Sequence, residues 1–123
     1  MSNNRHPVNL KDYPEVKRII RAADSSYKKH NATVVVVDKV ALSNTYWSDG
    51  NRSTYTAVDM LTGQSQGAPQ YDPPQFGGPK ETPVVVIPEN VAIVETGISR
   101  GDTVRAYVYV RASNVIKLLS QGN

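Results

Sequence analysis

The sequence of 123 residues contains no cysteine, two histidines, and a single phenylalanine and tryptophan. The absence of cysteine excludes disulfides, thiolate metal sites and cysteine nucleophiles. His6 and His30 are too few to favour a zinc site, so we expect neither a metal nor another cofactor. The sequence also lacks the run of about 18 apolar residues that a membrane-spanning helix needs, and it begins without the apolar stretch of a secretory signal. We therefore expect a cytoplasmic protein with no membrane partner.

Catalytic motifs are also scarce. The sequence has no His-Glu-x-x-His zinc motif, no Walker phosphate loop and no Gly-x-Gly-x-x-Gly dinucleotide fingerprint. Its carboxylates are scattered, and both histidines lie near the N-terminus, so no set of titratable side chains is predicted to converge on one point. We predict no catalytic residues and interpret the protein as a non-enzyme.

Charge is distributed unevenly along the chain. The net charge is +3; residues 1–39 carry eight lysines and arginines against four acidic residues, whereas residues 40–123 carry six against seven. A basic N-terminal third permits attraction to anionic partners, but it lacks the dense clusters or the reading motif of a dedicated nucleic-acid binder. We therefore do not expect nucleic acid as the partner.

The length is typical of one domain, and we predict a single domain over residues 1–123 with a flexible tail at 1–10. Residues 12–29 have apolar positions at helical spacing, with Asp12 as the N-terminal cap, and predict an amphipathic helix. The basic residues on its other side are either a solvated surface or a binding surface, and the sequence leaves both readings open. A second, short helix is predicted at about 114–120.

The other regular segments are rich in β-branched residues and predict strands. A long strand over 33–47 and a return strand over 53–61, joined by the turn signal Asp49-Gly50, favour an antiparallel hairpin. Residues 64–83 contain repeated prolines and glycines and predict a long loop. Three extended segments follow, at 84–87, 91–96 and 103–111. The expected fold is α+β: an antiparallel β-sheet with an N-terminal amphipathic helix and a short C-terminal helix.

The predicted hairpin carries the first candidate site. Arg52 lies at its tip, where backbone N–H groups can form a concave anion site and a guanidinium can bind a phosphate through two hydrogen bonds. Trp47 and Tyr55 flank this tip. The alternative is an exposed turn with an ordinary surface arginine, and cross-strand packing of the two aromatic rings.

The last predicted strand carries the second candidate site. Its residues alternate, with one face formed by Val104, Ala106, Val108 and Val110 and the other by Arg105, Tyr107, Tyr109 and Arg111. Tyrosine rings stack on bases and arginines neutralise phosphates, so the second face suits a nucleotide. The alternative is that the tyrosines pack beneath the amphipathic helix with their hydroxyls in water.

Phe76, the single phenylalanine, is the third candidate. It lies within residues 72–78, whose prolines stiffen a loop that can hold its ring over a ligand. The alternative is a surface loop anchored by one aromatic side chain. None of the three sites includes a catalytic group, which is the composition expected of a site that binds an anionic, base-containing molecule and leaves it intact.

Three segments resemble one protein family. Residues 47–55 (Trp-Ser-Asp-Gly-Asn-Arg-Ser-Thr-Tyr), 73–78 (Pro-Pro-Gln-Phe-Gly-Gly) and 87–95 (Ile-Pro-Glu-Asn-Val-Ala-Ile-Val-Glu) look like those of the phage Thoeris anti-defence sponges, which sequester cyclic ADP-ribose isomers made by bacterial TIR-domain immune enzymes. The resemblance covers about residues 33–111.

This resemblance implies an oligomer, at least dimeric, that binds its signal without cleaving it. It also implies a role for four residues of this sequence. Arg52 would bind the diphosphate and Arg105 a second phosphate, Phe76 would stack on the base, and Asn90 would lie near the base.

We therefore predict a phage-encoded, non-catalytic binding protein that sequesters a small anionic cyclic nucleotide. We expect it to act in the cytoplasm of the bacterial host and to form a homo-oligomer. The competing prediction, from another class, is a small phage structural or host-interaction module that binds a protein partner through its Pro/Gly loop and basic helix.

Overall fold

The computed structural model describes residues 4–25, 31–42, 53–69, 83–99 and 103–119. Eight strands and two helices lie within these residues. In chain order they are β1 (Asn4–Asn9), α1 (Pro14–Ala23), β2 (Asn31–Val36), β3 (Lys39–Ala41), β4 (Ser53–Asp59), β5 (Ser65–Gly67), β6 (Val84–Val86), β7 (Val91–Ser99), β8 (Thr103–Val110) and α2 (Ala112–Leu119).

Six of the strands form the main sheet, in the order β1-β2-β8-β7-β4-β5, and β3 and β6 form a separate two-stranded sheet. Within the described residues β2 and β8 are parallel, and every other paired set of strands is antiparallel. The predicted α+β class with a mostly antiparallel sheet is confirmed. The parallel pair corrects the expectation of a purely antiparallel sheet. β2 and β8 are far apart in the sequence, and the residue pattern of one strand does not show the direction of the strand that will lie beside it.

The predicted hairpin between residues 33–47 and 53–61 is wrong where the structure describes it. β2 pairs with β1 and β8, β3 pairs with β6, and β4 pairs with β5 and β7. The turn residues Asp49 and Gly50 lie outside the described residues. A turn signal favours a reversal of the chain, but the neighbour of a strand is decided by the larger apolar surface that it can bury, which β7 supplies to β4.

Residues 4–9, which the sequence analysis assigned to a flexible tail, form β1 and pair with β2 along their whole length. The sequence did not predict this strand for two reasons. Val8 is the one buried apolar residue among its six residues, Asn-Arg-His-Pro-Val-Asn, and Pro7 lies within it. Proline is tolerated in an edge strand, where its missing N–H can face solvent, and β1 is the outermost strand of the sheet. In the predicted 64–83 loop, residues 65–67 form the opposite edge strand β5, and residues 70–82 lie outside the described residues.

The main sheet separates two hydrophobic cores. The first core lies between this sheet and α1 and contains Val16, Ile19 and Ile20 of the helix with residues of the strands, among them Val34, Val58, Val94 and Val108. The second core lies on the opposite face, beneath the two-stranded sheet, and contains Val40, Leu42, Ala57, Val85, Ile87 and Ile93. Successive residues of a strand point to opposite faces, so β7 supplies Ala92 and Val94 to the first core and Ile93 to the second.

Helix α1 is shorter than predicted. It begins at Pro14, with Tyr13 as the N-terminal cap and no capping hydrogen bond from a side chain, so the predicted cap by Asp12 is wrong. The helix ends at Ala23, and Asp24 is already extended. Its Val16, Ile19 and Ile20 are buried against the sheet, which leaves the other face of the sheet to the second core.

Helix α2 is fixed to the β6–β7 connection by a fully buried asparagine. The Asn114 side chain donates hydrogen bonds to the carbonyl oxygens of Pro88 and Val91, each at 3.3 Å, and accepts one from the backbone N–H of Asn90 at 3.1 Å. Asn90 has φ 63°, a left-handed conformation that asparagine tolerates better than most residues. The turn and the helix therefore stabilise each other at this end of the sheet.

Candidate functional site

The register of the main sheet places four side chains in one row on the face opposite α1. Thr33 of β2 lies opposite Tyr107 of β8, Tyr107 opposite Glu95 of β7, and Glu95 opposite Tyr55 of β4. Neighbouring strands are about 4.8 Å apart, so these side chains are direct neighbours. Two predicted site residues, Tyr55 and Tyr107, are thereby brought together across three strands.

Arg5 and Tyr109 lie in the adjacent row on the same face, since Arg5 pairs with Val35 and Val35 with Tyr109. The guanidinium carbon of Arg5 lies 5.8 Å from the centre of the Tyr107 ring, within the range of a cation–π interaction. The ring centres of Tyr107 and Tyr109, which are two residues apart on β8, are separated by 6.4 Å. We call the surface formed by Arg5, Tyr55, Glu95, Tyr107 and Tyr109 the tyrosine face.

Glu95 and Tyr109 form the polar contact at the centre of the tyrosine face. The Tyr109 hydroxyl donates a hydrogen bond of 2.5 Å to Oε1 of Glu95. Burial raises the pKa of the Tyr109 phenol well above its ordinary value of 10.0, and the hydrogen bond and the negative charge of Glu95 raise it further. Tyr109 is therefore a hydrogen-bond donor at physiological pH, and it holds the carboxylate in one orientation.

The residues of the tyrosine face differ in whether they pack against a hydrophobic core. Tyr55 and Tyr109 pack against the second core, at the margin of the two-stranded sheet, whereas Tyr107 belongs to neither core. Tyr55, Glu95, Tyr107 and Tyr109 are all half-buried, and Arg5 is exposed. The packed residues give the surface a fixed shape, and Tyr107 and Arg5 add a ring and a positive charge to it.

These residue types permit three kinds of contact with a ligand. An aromatic ring stacks on a planar base, a guanidinium binds a phosphate, and a carboxylate accepts hydrogen bonds from N–H or O–H groups. Among the described residues no group of three histidines, aspartates or glutamates is placed to hold a metal ion.

The structure describes some of the predicted site residues and not others. Trp47, Arg52 and Phe76 lie outside the described residues. The backbone of Arg105 lies on β8 opposite Gly97, one row beyond Tyr107 on the same face. Asn90 lies elsewhere, in the turn before β7, and Glu95 is four positions beyond the first residue of that strand, roughly 13 Å away at about 3.3 Å per residue.

Two residues of the tyrosine face were missed by sequence reasoning. Arg5 was assigned to a tail, and Glu95 was regarded as one of several scattered carboxylates. The alternation of β7 places Glu95 on the same face as Ile93, but only the pairing of β7 with β8 brings it beside Tyr107. The alternation predicted for β8 is confirmed, since Ala106, Val108 and Val110 are in the first core and Tyr109 packs on the second.

The sequence contains a Gly-x-Ser-x-Gly motif over residues 63–67. In hydrolases this motif forms a sharp turn between a strand and a helix, with the serine exposed as the nucleophile. Here residues 65–67 form β5 instead, and Gly63 and Gly67 adopt φ angles of 74° and 82° in turns. The Ser65 hydroxyl accepts a hydrogen bond from the N–H of Gly67, and His6 lies on the opposite edge strand, roughly 24 Å away at about 4.8 Å per strand.

A pocket of about 140 Å³ lies on the same face as the tyrosine face but is lined by different residues. It lies between the end of β5 and β6, and its lining is apolar except for Gln66; the other lining residues are Ala57, Ala68, Pro69, Val85, Val86, Pro88, Val91 and Ile93. It contains no charged group to bind an anion, so the tyrosine face is the better candidate for the predicted ligand.

Two findings concern the whole of the described chain and its relatives. Within the described residues, neither helix has the length and apolar character needed to cross a membrane. A search for similar proteins finds no matching family model, no matching curated protein and no matching solved structure. The resemblance to the anti-defence sponges therefore stays a prediction.

Proposed function

We propose that this protein binds a small anionic cyclic nucleotide on the tyrosine face and sequesters it without cleaving it. The observation that carries the proposal is the placement of Tyr107, a half-buried ring outside both cores, between the guanidinium of Arg5 and the carboxylate of Glu95. In the biological setting suggested by the sequence resemblance, the ligand is a cyclic ADP-ribose isomer or a related cyclic nucleotide made as an immune signal. The protein is then a phage-encoded, cytoplasmic homo-oligomer that blocks bacterial defence.

The arrangement fits the order of groups in a nucleotide. Arg5 is exposed and long, so its guanidinium can leave the Tyr107 ring and bind a phosphate while a base takes its place against the ring. Arg105, one row along β8 on the same face, is the candidate for a second phosphate contact. Stacking of one base on an aromatic side chain contributes about 1–3 kcal/mol.

Sequestration requires tight binding, because the protein must remove its ligand mole for mole. Each tenfold gain in affinity corresponds to about 1.4 kcal/mol of binding free energy. The fixed orientation of Tyr55, Tyr109 and Glu95 lowers the entropy lost on binding, since these side chains are already packed or hydrogen-bonded.

The competing function is a module that binds a protein partner. One observation favours it: Val84 and Val86 of β6 are 48% and 59% exposed on the outer side of the two-stranded sheet. Neighbouring exposed apolar side chains are a feature of surfaces that bind another protein. This surface is separate from the tyrosine face, so substitutions distinguish the two functions.

The test is a capture assay. The purified protein is incubated with cyclic ADP-ribose isomers and with cyclic mono-, di- and trinucleotides, and the solution is filtered and analysed by chromatography. We expect one ligand to be depleted and then released unchanged when the protein is heated. A new product would establish an enzyme, and no depletion at excess protein would favour the protein-binding module.

Variants connect the captured ligand to the tyrosine face. We expect Tyr107→Leu to weaken binding by about 5- to 150-fold, the equivalent of the 1–3 kcal/mol that base stacking supplies. Arg5→Ala should also weaken binding, and the loss should shrink as the salt concentration rises. Lys17→Ala is the matched control because Lys17 is exposed on α1, on the other side of the sheet. Equal affinities for Tyr107→Leu and the wild type, by titration calorimetry, would contradict the assignment.

A further inference from the structure

Glu95 lies on the opposite side of Tyr107 from Arg5. In the strand order β1-β2-β8-β7, Arg5 on β1 and Glu95 on β7 flank the ring carried by β8. The phosphate and the far edge of the base are at opposite ends of a nucleotide. If the proposed function holds, a base on Tyr107 with its phosphate at Arg5 directs its outer, Watson–Crick edge at Glu95.

A carboxylate only accepts hydrogen bonds, so it selects among bases by their donors. Guanine presents two adjacent donors on this edge, the ring N1–H and the exocyclic amino group, whose spacing matches the two oxygens of a carboxylate. Adenine presents one amino group beside a ring nitrogen that is an acceptor, and hypoxanthine presents N1–H beside a carbonyl oxygen. The adenine ring nitrogen lies against the negative charge and is repelled, whereas hypoxanthine shares the N1–H and carbonyl of guanine but has C2–H in place of the amino group and so lacks one donor.

The carboxylate is also held in place for this contact. The Tyr109 hydroxyl donates to Oε1 of Glu95 at 2.5 Å, and Tyr109 itself packs against the second core. This bond orients the carboxylate, which has acceptor sites for about four hydrogen bonds. Tyr109 is a positioning residue, and Glu95 is the group that contacts the base.

We infer that Glu95 makes the tyrosine face selective for guanine. This inference rests on the proposed function and narrows it, because it places guanine-containing cyclic nucleotides ahead of the adenine-containing cyclic ADP-ribose isomers. Hydrogen bonds to a charged group contribute about 1.5–3 kcal/mol, so loss of one donor should weaken binding by about 10- to 150-fold.

The experiment compares ligands that differ only in the base. Binding of 3′,5′-cyclic GMP, IMP and AMP, and of cyclic di-GMP, di-IMP and di-AMP, is measured by titration calorimetry with the wild-type protein. We expect the guanine member of at least one set to bind about tenfold or more tightly than its hypoxanthine and adenine counterparts. This comparison needs no variant, so a misfolded substitution cannot obscure it.

Two variants test whether Glu95 causes the preference for guanine. Glu95→Gln should reduce the preference for guanine to less than about threefold, because an amide supplies a donor as well as an acceptor. Glu89→Gln is the matched control, since Glu89 is exposed and accepts a hydrogen bond from Ser113 at the other end of β7. Glu89→Gln should keep the full preference.

The possible outcomes separate the two proposals. Binding without preference for guanine, binding confined to adenine-containing ligands, or an unchanged preference in folded Glu95→Gln would overturn the inference and leave the proposed function intact. No binding of these nucleotides or of cyclic ADP-ribose isomers would overturn the proposed function, and the inference with it.

Discussion

Tyr107 differs from the other tyrosines in the described part of the chain because it is in neither hydrophobic core. Tyr13 packs against the first core, and Tyr55 and Tyr109 pack against the second. The neighbours of Tyr107, Arg5 and Glu95, supply the two kinds of polar contact that a nucleotide needs.

Tyr109 makes stability depend on pH in the alkaline range. Its pKa is raised in the folded protein above the ordinary 10.0, so folding favours the protonated phenol. The stabilisation is fully present below about pH 10 and is lost as the pH rises further, because unfolded chains then lose a proton that the folded chain retains. For one proton the slope is at most about 1.4 kcal/mol per pH unit.

We therefore expect the free energy of unfolding to fall more steeply above about pH 10 in the wild type than in Tyr109→Phe. Urea unfolding at a series of pH values measures this slope. Tyr107→Phe leaves the bond between Tyr109 and Glu95 in place and serves as the control with the wild-type slope. Parallel curves for Tyr109→Phe and the wild type would show that Tyr109 does not retain its proton.

Asn114 is the residue on which the β6–β7 turn depends. We expect Asn114→Ala to lower the free energy of unfolding by about 2–5 kcal/mol, since it leaves the backbone groups of Asn90, Pro88 and Val91 without this partner. Ser113→Ala removes one exposed bond to Glu89 and should cost less than about 1 kcal/mol. Similar losses in the two variants, in denaturant unfolding, would contradict this role.

At the scale of elements, β1 protects the sheet edge that β2 would otherwise expose. β2 is rich in valine, and an exposed strand of that composition pairs readily with other chains. β1 covers it with a strand that contains Pro7 and charged or polar side chains, which oppose the addition of a further strand. The edge strand therefore supplies both Arg5 and a barrier to aggregation.

We expect Pro7→Val to increase association beyond that of the wild type, because it restores a backbone N–H and adds a β-branched side chain at the edge. Analytical ultracentrifugation measures the mass distribution. Pro7→Lys is matched at the same position: it restores the N–H but adds a charge, and it should remain at the wild-type mass. Equal masses for Pro7→Val and Pro7→Lys would show that the proline does not protect the edge.

The elements also show where sequence reasoning succeeds. The alternation in β8 is a local property, so the sequence predicted its two faces correctly. Strand pairing is a property of the whole chain: a turn signal at Asp49-Gly50 could not show that β4 pairs with β7. The tyrosine face depends on both local alternation and strand pairing. Tyr55, Tyr107 and Tyr109 were therefore candidates from the sequence, whereas Arg5 and Glu95 join them only through the pairing of strands.

At the scale of the whole molecule, the two cores are joined through the main sheet. β7 contributes alternate residues to both, so neither core can lose its packing without disturbing the same strand. We expect Ile20→Ala in the first core and Ile87→Ala in the second each to cost about 2–5 kcal/mol, because both side chains are fully buried. Both variants should unfold in a single transition by calorimetry.

We expect substitutions in the two cores to differ in their effect on the affinity for the ligand. Tyr55 and Tyr109 pack on the second core, so Ile87→Ala should weaken nucleotide binding by about three- to tenfold, or about 0.6–1.4 kcal/mol, under conditions where the protein remains folded. Ile20→Ala, with a comparable loss of stability, should bind as the wild type does. An equal loss of affinity in both would show that binding follows overall stability rather than the support of the tyrosine face.

The parallel ladder between β2 and β8 determines when this protein can become functional during synthesis. Thr33 pairs with Tyr107 and Val36 with Val110, so β2 lacks one of its neighbours until β8 has left the ribosome. Contacts between such distant segments slow folding, because a large loop must close before they are made. Nascent chains that have not yet reached β8 therefore lack Tyr107 beside Arg5, and under the proposed function they would not capture the ligand.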